Sequence, residues 1–371
     1  MKILLLSVLY TVFNCLLSVA GNGISLSHNV SHVPSESTPA TPTGLFDTDD
    51  ILNIKLSGDL KELFNDRYEK AQYHKLALSY ATADSSVISI ATEAKTRGHF
   101  RKALGNCLYP PILLRFTKNE SFKTSLFKDQ AKLKLVMPCK GDEYVVREWL
   151  IYRLYNLLTP KSFKARLVRV QLEDTKRNKS ANPFYGILLE EEQQMAKRNH
   201  AVLLDGEVIK PEQAEVNTFL TMAVFEYLIG NTDWSVQYQQ NVKVLLEDAA
   251  AFPTTVPYDF DHAGLVSAPY AKPAEELQMY SVLERRYRGY CVADMKEFSE
   301  VINRFKHVKK DIYKLYSDCP LLDAKYVKST KKYLDEFYAT ITDNKQMEKE
   351  FTYPCNPNGT GNVVIKGLRK N

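Results

Sequence analysis

The sequence predicts an α+β fold of two lobes, a strand-rich small lobe containing one helix and a mostly helical large lobe. Three observations predict it. Short runs of alternating apolar residues crowd the first half, one helical pattern interrupts them, and from Met295 onward apolar residues recur at helical spacing. The expected organisation is a signal segment over 1–20, a disordered leader over 21–44, the small lobe over 45–200 and the large lobe over 201–371.

Leu52-Asn53-Ile54-Lys55-Leu56 alternates as a half-buried strand should. Strand-like runs follow at Val87–Thr92, Pro111–Phe116 and Ala131–Val136. A helix capped by Asp142 then carries Val145, Trp149, Tyr152 or Arg153, and Asn156 or Leu157 at helical spacing, until Thr159-Pro160 stops it. Two more strands are expected at Ala165–Leu172 and Tyr185–Glu190. Pro211 should open a helix through Phe219, Met222, Ala223, Phe225, Tyr227 and Leu228, which Gly230 ends. Short strands over Asn241–Leu246 and Val256–Phe260 come next. Phe298, Val301, Ile302, Phe305, Ile312 and Leu315 form one stripe, which reads as core rather than as a partner surface.

The chain begins with Lys2, an apolar run from Ile3 to Val19, and small residues at Ser18-Val19-Ala20, the pattern of a secretory signal peptide. A membrane anchor is the rival reading, and Asn14 and Ser18 inside so short a run count against it. Residues 21–44 are rich in Ser, Thr and Pro and poor in large apolar side chains, as a disordered leader would be. No later run reaches about 18 apolar residues, so no stable membrane insertion is expected after cleavage. The formal charge of +5 is a mild excess, and no arginine-rich tract stands out, so nucleic acid is not an expected partner.

Cys107, Cys139, Cys291, Cys319 and Cys355 follow the signal segment. None has zinc-ligand spacing, and in an oxidising compartment disulfides are the expected use. Cys107 and Cys139 each end a segment in the same half and are expected to pair, with an odd thiol left over. The plainer alternative is that all are buried small hydrophobes.

The stretch that carries chemistry runs from a helix into Ile229-Gly230-Asn231-Thr232-Asp233-Trp234, then Asn241-Val242-Lys243-Val244-Leu245-Leu246, then Pro257-Tyr258-Asp259-Phe260-Asp261. Phosphoryl transfer needs a carboxylate near the attacking hydroxyl, and an amide oxygen and a second carboxylate for the metal. Magnesium is a hard cation that takes few protein oxygens. An Asp after a helix, an Asn opening the next strand and an Asp ending the one after supply that set, in the order of the catalytic half of a protein kinase. Upstream, Lys134 lies in an apolar strand and Glu148 on the helix that follows, the placement of a phosphate-holding Lys and the acid that orients it. Lys132 shares the strand face with Lys134, so either can be that residue. Each piece has a bland reading as well. Asp233 can be a turn residue, Lys134 a solvated strand residue, Glu148 a helix ion-pair partner, and Asp259-Phe260-Asp261 a simple turn.

Thr96-Arg97-Gly98-His99-Phe100-Arg101 resembles the Arg-Gly start of CotH-type atypical kinases, in which a short basic turn replaces a Gly-rich loop. Val146-Arg147-Glu148, the Tyr185-Gly186 strand ending in Glu190, Asn231-x-Asp233 and Asp259-x-Asp261 recur in that family's order. The wider chain resembles exported proteins of Bacteroidetes-type bacteria. The resemblance covers about 95–265 and implies a protein-kinase-like two-lobed fold. It implies Asp233 as base, Lys134 holding phosphate with Glu148 orienting it, Arg97 facing the phosphates, and Asn241, Asp259 and Asp261 on the metal. ATP or another nucleotide, Mg²⁺ or Mn²⁺, and a protein hydroxyl would be the cofactors and partner. Three features depart from ordinary protein kinases: eight residues from Asp233 to Asn241 instead of five, no GxGxxG, and Ser235 where a positive residue is common.

The expected function is thus an exported kinase that transfers a phosphoryl or nucleotidyl group to a protein, acting in the periplasm, the cell envelope or outside the cell. One alternative is an inactive kinase-like binding or scaffold protein. Another is a metal-assisted hydrolase, or a carboxylate-pair glycosidase using Asp233 with Asp259 or Asp261. The basic cluster Arg285-Arg286-Tyr287-Arg288 reads most simply as an exposed helix start locked by Cys291.

Overall fold

The computed structural model describes residues 44–355 except Ala293, and the side chain of Tyr353 is not described. The expected signal segment, nearly all of the expected leader, and the remaining C-terminal tail lie outside the described residues.

The first half is dominated by strands. β1 (Leu52–Gly58) is followed by a short helix α1 (Leu60–Asn65), β2 (His74–Ala81) and β3 (Val87–Thr96). Next come β4 (Ile112–Phe116), α2 (Glu120–Lys123), β5 (Lys132–Val136) and the long helix α3 (Asp142–Leu158). β6 (Ala165–Asp174), the two-residue β7 (Lys179–Ser180) and β8 (Phe184–Leu189) complete it. β1 to β5 form an antiparallel meander, β8 pairs with β5, and β6 pairs with β8. β6 then pairs with β1 in parallel, from Leu52 opposite Val168 to Gly58 opposite Asp174.

That last pairing corrects the expected fold. The kinase-like two-lobed arrangement needs an open small-lobe sheet, whereas here seven strands close into a barrel with β7 appended to β6. The physical reason is visible in the side chains. Leu52, Ile54 and Leu56 of β1 continue an inner face made by Leu76 and Leu78, Ile90 and Ala94, Ile112 and Leu114, Leu133 and Leu135, Val168 and Val170, and Leu188, all buried. An open sheet would leave the edges of β1 and β6 unpaired, and closure removes both. β2 and α1, which the sequence analysis did not separate from their surroundings, are part of that wall and its cover.

After β8 the chain turns helical. α4 (Glu192–Arg198) and β9 (Val202–Leu203) lead to a 3₁₀ turn at Pro211–Gln213, and α5 (Val216–Ile229) follows. Pro211 therefore opens the turn before the helix, and Glu215 caps the helix by accepting from the backbone of Asn217 and Thr218. Every residue from Phe219 to Ile229 is buried, so α5 is a central helix without a polar face. Gly230 ends it at φ 69°, a left-handed conformation that glycine adopts freely. β10 (Val242–Leu246) and β11 (Thr254–Pro257) form a small antiparallel sheet with β9. α6 (Ser299–His307), α7 (Lys309–Ser317), α8 (Ala324–Thr342) and α9 (Asn344–Phe351) finish the described chain. The stripe read from the sequence is core, with Phe298, Val301, Phe305 and Ile312 fully buried.

All described residues belong to one compact unit. α3 lies across the outer wall of the barrel, and its other side meets α5 through Tyr155 and Phe225, whose rings are 4.4 Å apart. Disulfides join Cys107 to Cys139, as expected, and Cys291 to Cys355, while Cys319 is a free thiol. Among the described residues no helix is long and apolar enough to cross a membrane.

Gly186 marks how tightly the barrel is filled. A Cβ there would come within 3.1 Å of Leu135 Cδ1, the Val136 carbonyl oxygen and Val170 Cγ2. Gly186→Val is expected to lower stability by about 1–3 kcal/mol through overpacking, read from the urea unfolding midpoint. An unchanged midpoint would show that the wall is slack at this point.

Candidate functional site

The candidate site lies where the outer face of β5, the N-terminal half of α3, the loop after α5 and the ends of β10 and β11 converge. Asn241 precedes β10 and Asp259 follows β11, and the Tyr258 N–H donates to the Asn241 carbonyl oxygen at 2.9 Å. The hairpin thus brings the two residues to one end of the small sheet. Both have left-handed backbones, Asn241 at φ 52° and Asp259 at φ 64°, which Asn and Asp tolerate better than other non-glycine residues. The Asp259 backbone is pinned by its N–H donating to Tyr152 Oη at 2.9 Å.

Asp233 sits in the loop that Gly230 starts. Its N–H donates to Asn231 Oδ1 at 3.1 Å. Asn241 Nδ2 donates to its carbonyl oxygen at 2.7 Å and to its Oδ2 at 3.1 Å. The eight-residue spacing between Asp233 and Asn241 does not separate them, because Ser235 and Gln240 pair and fold the extra residues into a small turn.

Lys134 leaves the barrel wall, is buried, and places Nζ 3.1 Å from Asp259 Oδ2. Lys132, two residues earlier on the same strand, is exposed and takes no part in the cluster. Glu148 is buried on α3 but does not bond to Lys134. Its Oε2 accepts from Arg101 at 3.2 Å, and its Oε1 has no partner. Asp261 is likewise turned to Arg101, whose Nε donates to Asp261 Oδ2 at 2.8 Å, with Tyr270 Oη on the same oxygen at 3.0 Å. Arg97 is half-buried and makes no such contact, although its charge acts on Asp259.

The structure therefore brings Lys134 to Asp259 and Asn241 to Asp233, and commits Glu148 and Asp261 to a buried arginine that the sequence analysis passed over. Arg101 was in view in the basic turn, but nothing local signals that it reaches two carboxylates on distant elements. Tyr152 and Tyr270 were equally invisible as polar partners. The apolar cavity of about 440 Å³ lined by Trp149, Leu157, Leu315 and Cys319 shares none of these residues.

No family model and no curated protein matches the chain. A solved structure similar to it is that of a Helicobacter pylori proinflammatory kinase, CtkA. The likeness has 13% identity and a TM-score of 0.39, and covers 68% of this chain and 95% of that one. So distant a likeness carries no argument about the site. The CotH-type resemblance rests on its motifs alone.

The electrostatics follow from burial and charge. Burial works against the Asp259 carboxylate, but Lys134, Arg101 and Arg97 outweigh it and hold the group at about 2. Burial pushes Glu148 up to about 7, opposed by Arg101 and reinforced by the charges of Asp261 and Asp259. Burial also raises Asp233, with His262 opposing it and Asp261 and Asp259 adding to it.

A buried acid raised this way binds its proton in the folded chain at pH values where the unfolded chain has released it. Stability conferred by protonated Glu148 is therefore present below its ordinary value of 4.5 and is lost as pH rises to about 7. Glu148→Gln, which keeps the shape and removes the titration, is expected to flatten that loss by about 1–3 kcal/mol between those limits. Chemical unfolding at several pH values reads it. Equal slopes for the two proteins would show that Glu148 is ionised throughout.

Proposed function

We propose that the protein is an exported phosphotransferase that moves a phosphoryl group from a nucleotide to a protein hydroxyl with Mg²⁺ or Mn²⁺, and that Asp233 is its base. The observation that carries this reading is the meeting of the Lys134–Asp259 pair and the Asp233–Asn241 pair at one place, from three separate stretches of chain. Motif order favours a CotH-type enzyme. Two disulfides fit an oxidising compartment.

Asp233 has the attributes of a base. It is partly buried, its carboxyl is raised by burial, and Asn241 donates to Oδ2. In the proposed reaction the substrate hydroxyl gives its proton to Asp233 while its oxygen bonds to the terminal phosphorus of the nucleotide. The bond from that phosphorus to the bridging oxygen breaks, and the nucleoside diphosphate leaves with the electron pair. Lys134 and Arg97 supply positive charge for the phosphates, and Arg101 ties the basic turn to α3 and to the segment after β11.

Among the described residues no group of three or more His, Cys, Asp or Glu side chains is arranged to hold a metal ion. Two oxygen donors nevertheless suit a magnesium ion carried largely by water and phosphate. They are the Asn241 side-chain oxygen, which accepts only a long 3.4 Å contact from Gln240, and the Asp259 oxygen not taken by Lys134. Such an ion would neutralise phosphate charge there. One observation favours a second reading as a nucleotide-binding protein without turnover: Glu148 and Asp261 are both spent on Arg101.

A thermal-shift titration with ATP, other nucleotides and Mg²⁺ or Mn²⁺ tests the proposal. Nucleotide and metal together at a hundred times the dissociation constant should add about 2.7 kcal/mol, a rise of a few degrees for a chain of this size. Asp259→Ala should abolish the rise, whereas Asp233→Ala should keep it and lose transfer to protein. A flat response to every donor sinks the nucleotide reading, and a shift without transfer by the unaltered protein leaves the binding reading standing.

A further inference from the structure

α5 is apolar through its buried length except for Thr221, which donates to the Asn217 carbonyl oxygen at 2.7 Å, and Glu226, which is 1% exposed. Neither of its carboxyl oxygens makes a well-formed hydrogen bond, and neither does Asn231 Nδ2, itself on a residue 1% exposed, although the Asn231 side chain lies near enough to act on the Glu226 carboxyl. Burying an ionised carboxylate so deeply is costly, and burying a neutral acid far less so. Burial pushes the Glu226 carboxyl well above the ordinary range, against the opposing effects of the Asn231 side chain and the Arg288 charge and with the charge of Asp233 adding to it.

The loop beside it is the one that carries Asp233. Asn231 N–H donates to the Glu226 carbonyl oxygen at 2.9 Å, and Asn231 Oδ1 receives the Asp233 N–H at 3.1 Å. On the other side Arg288 donates to the carbonyl oxygens of Thr232 and Trp234, the second at 2.9 Å. The basic cluster is thus no exposed helix start, since Arg288 clamps the loop from within. We propose that Glu226 is the positioning residue of the Asp233 loop, acting through the side chain of Asn231. A neutral carboxyl offers both a donor and an acceptor to a primary amide. With Nδ2 held by Glu226, Asn231 Oδ1 is left aimed at the Asp233 backbone, and the carboxyl of Asp233 is carried by a loop with a fixed orientation. The catalytic consequence rests on the reading of Asp233 as base, and the ordering of the loop does not.

The chain has two tryptophans, Trp149 and Trp234, and Trp234 is 3% exposed in this loop. In a Trp149→Phe background, Trp234 emission and acrylamide quenching report on the loop without any substrate. Glu226→Ala is expected to shift the emission to the red and raise quenching about twofold or more, while Glu226→Gln, which stays neutral and hydrogen-bonds, keeps both unchanged. If Glu226→Ala does not fold, Asn231→Ala must give the same rise. Where the protein transfers phosphate, Glu226→Ala should lower kcat about tenfold to a hundredfold through misplacement of Asp233, with the nucleotide KM little changed and Glu226→Gln restoring the rate. A Gln variant as disturbed as the Ala variant, or an Ala variant with undisturbed Trp234, overturns the proposal. Expected fluorescence changes in a protein that transfers nothing would support the positioning role and reject the phosphotransferase reading instead.

Discussion

The parallel pairing of β1 with β6 is the constraint on which the rest of the structure depends. It turns a sheet with two open edges into a barrel, so that the inner faces of seven strands share one apolar interior. With the inside filled, the outer face of β5, β8 and β6 becomes the surface on which α3 packs, through Val136, Ile187, Leu189 and Ala165. α3 in turn meets α5, and α5 delivers the loop of Asp233. The position of Lys134 on that outer wall, facing the helices and not the barrel interior, follows from the strand period once closure has decided which face is inside.

Around Lys134 four buried or partly buried carboxyls lie close together. Asp259, Asp261 and Glu148 are served by Lys134, Arg101 and Arg97, with Arg101 divided between two of the carboxyls, and Asp233 by Arg288 and His262. Where a cation is close and undivided, as at Asp259, the carboxylate is held low; where burial dominates, as at Glu148, it is held high. Like charges in a site of low dielectric cannot all ionise at no cost. Protons on the raised carboxyls, or a bound cation, relieve that cost. That competition links the cleft's charge to what it can hold.

Much of the local structure was legible in the sequence because it is written in local periods. β1, the strands around β3 to β6 and β8, α3 and α5 all announce themselves through spacing two or spacing near 3.6, and Gly230 and Thr159-Pro160 mark the helix ends. The expected pairing of Cys107 with Cys139 is the one found, although spacing alone does not fix connectivity. β2 was missed because His74-Lys75-Leu76-Ala77-Leu78-Ser79-Tyr80-Ala81 gives its alternation no clear polar face, and closure of the sheet has no local period at all. In the candidate site, Asp233, Asn241, Asp259 and Lys134 were picked out by order along the chain, whereas that Lys134 and not Lys132 meets Asp259 was not, since residues two apart share a face.

What the sequence by itself determined was most of the larger elements and the chain positions of the chemical groups, because both depend on neighbours within a few residues. Tertiary structure alone decided the barrel in place of an open small lobe, and the partners of the charges. Arg101 takes Glu148 and Asp261, and Glu226 is buried beside Asn231. Which charge meets which is settled by the packing of elements far apart in the chain, where one arginine can reach two acids that no spacing rule connects.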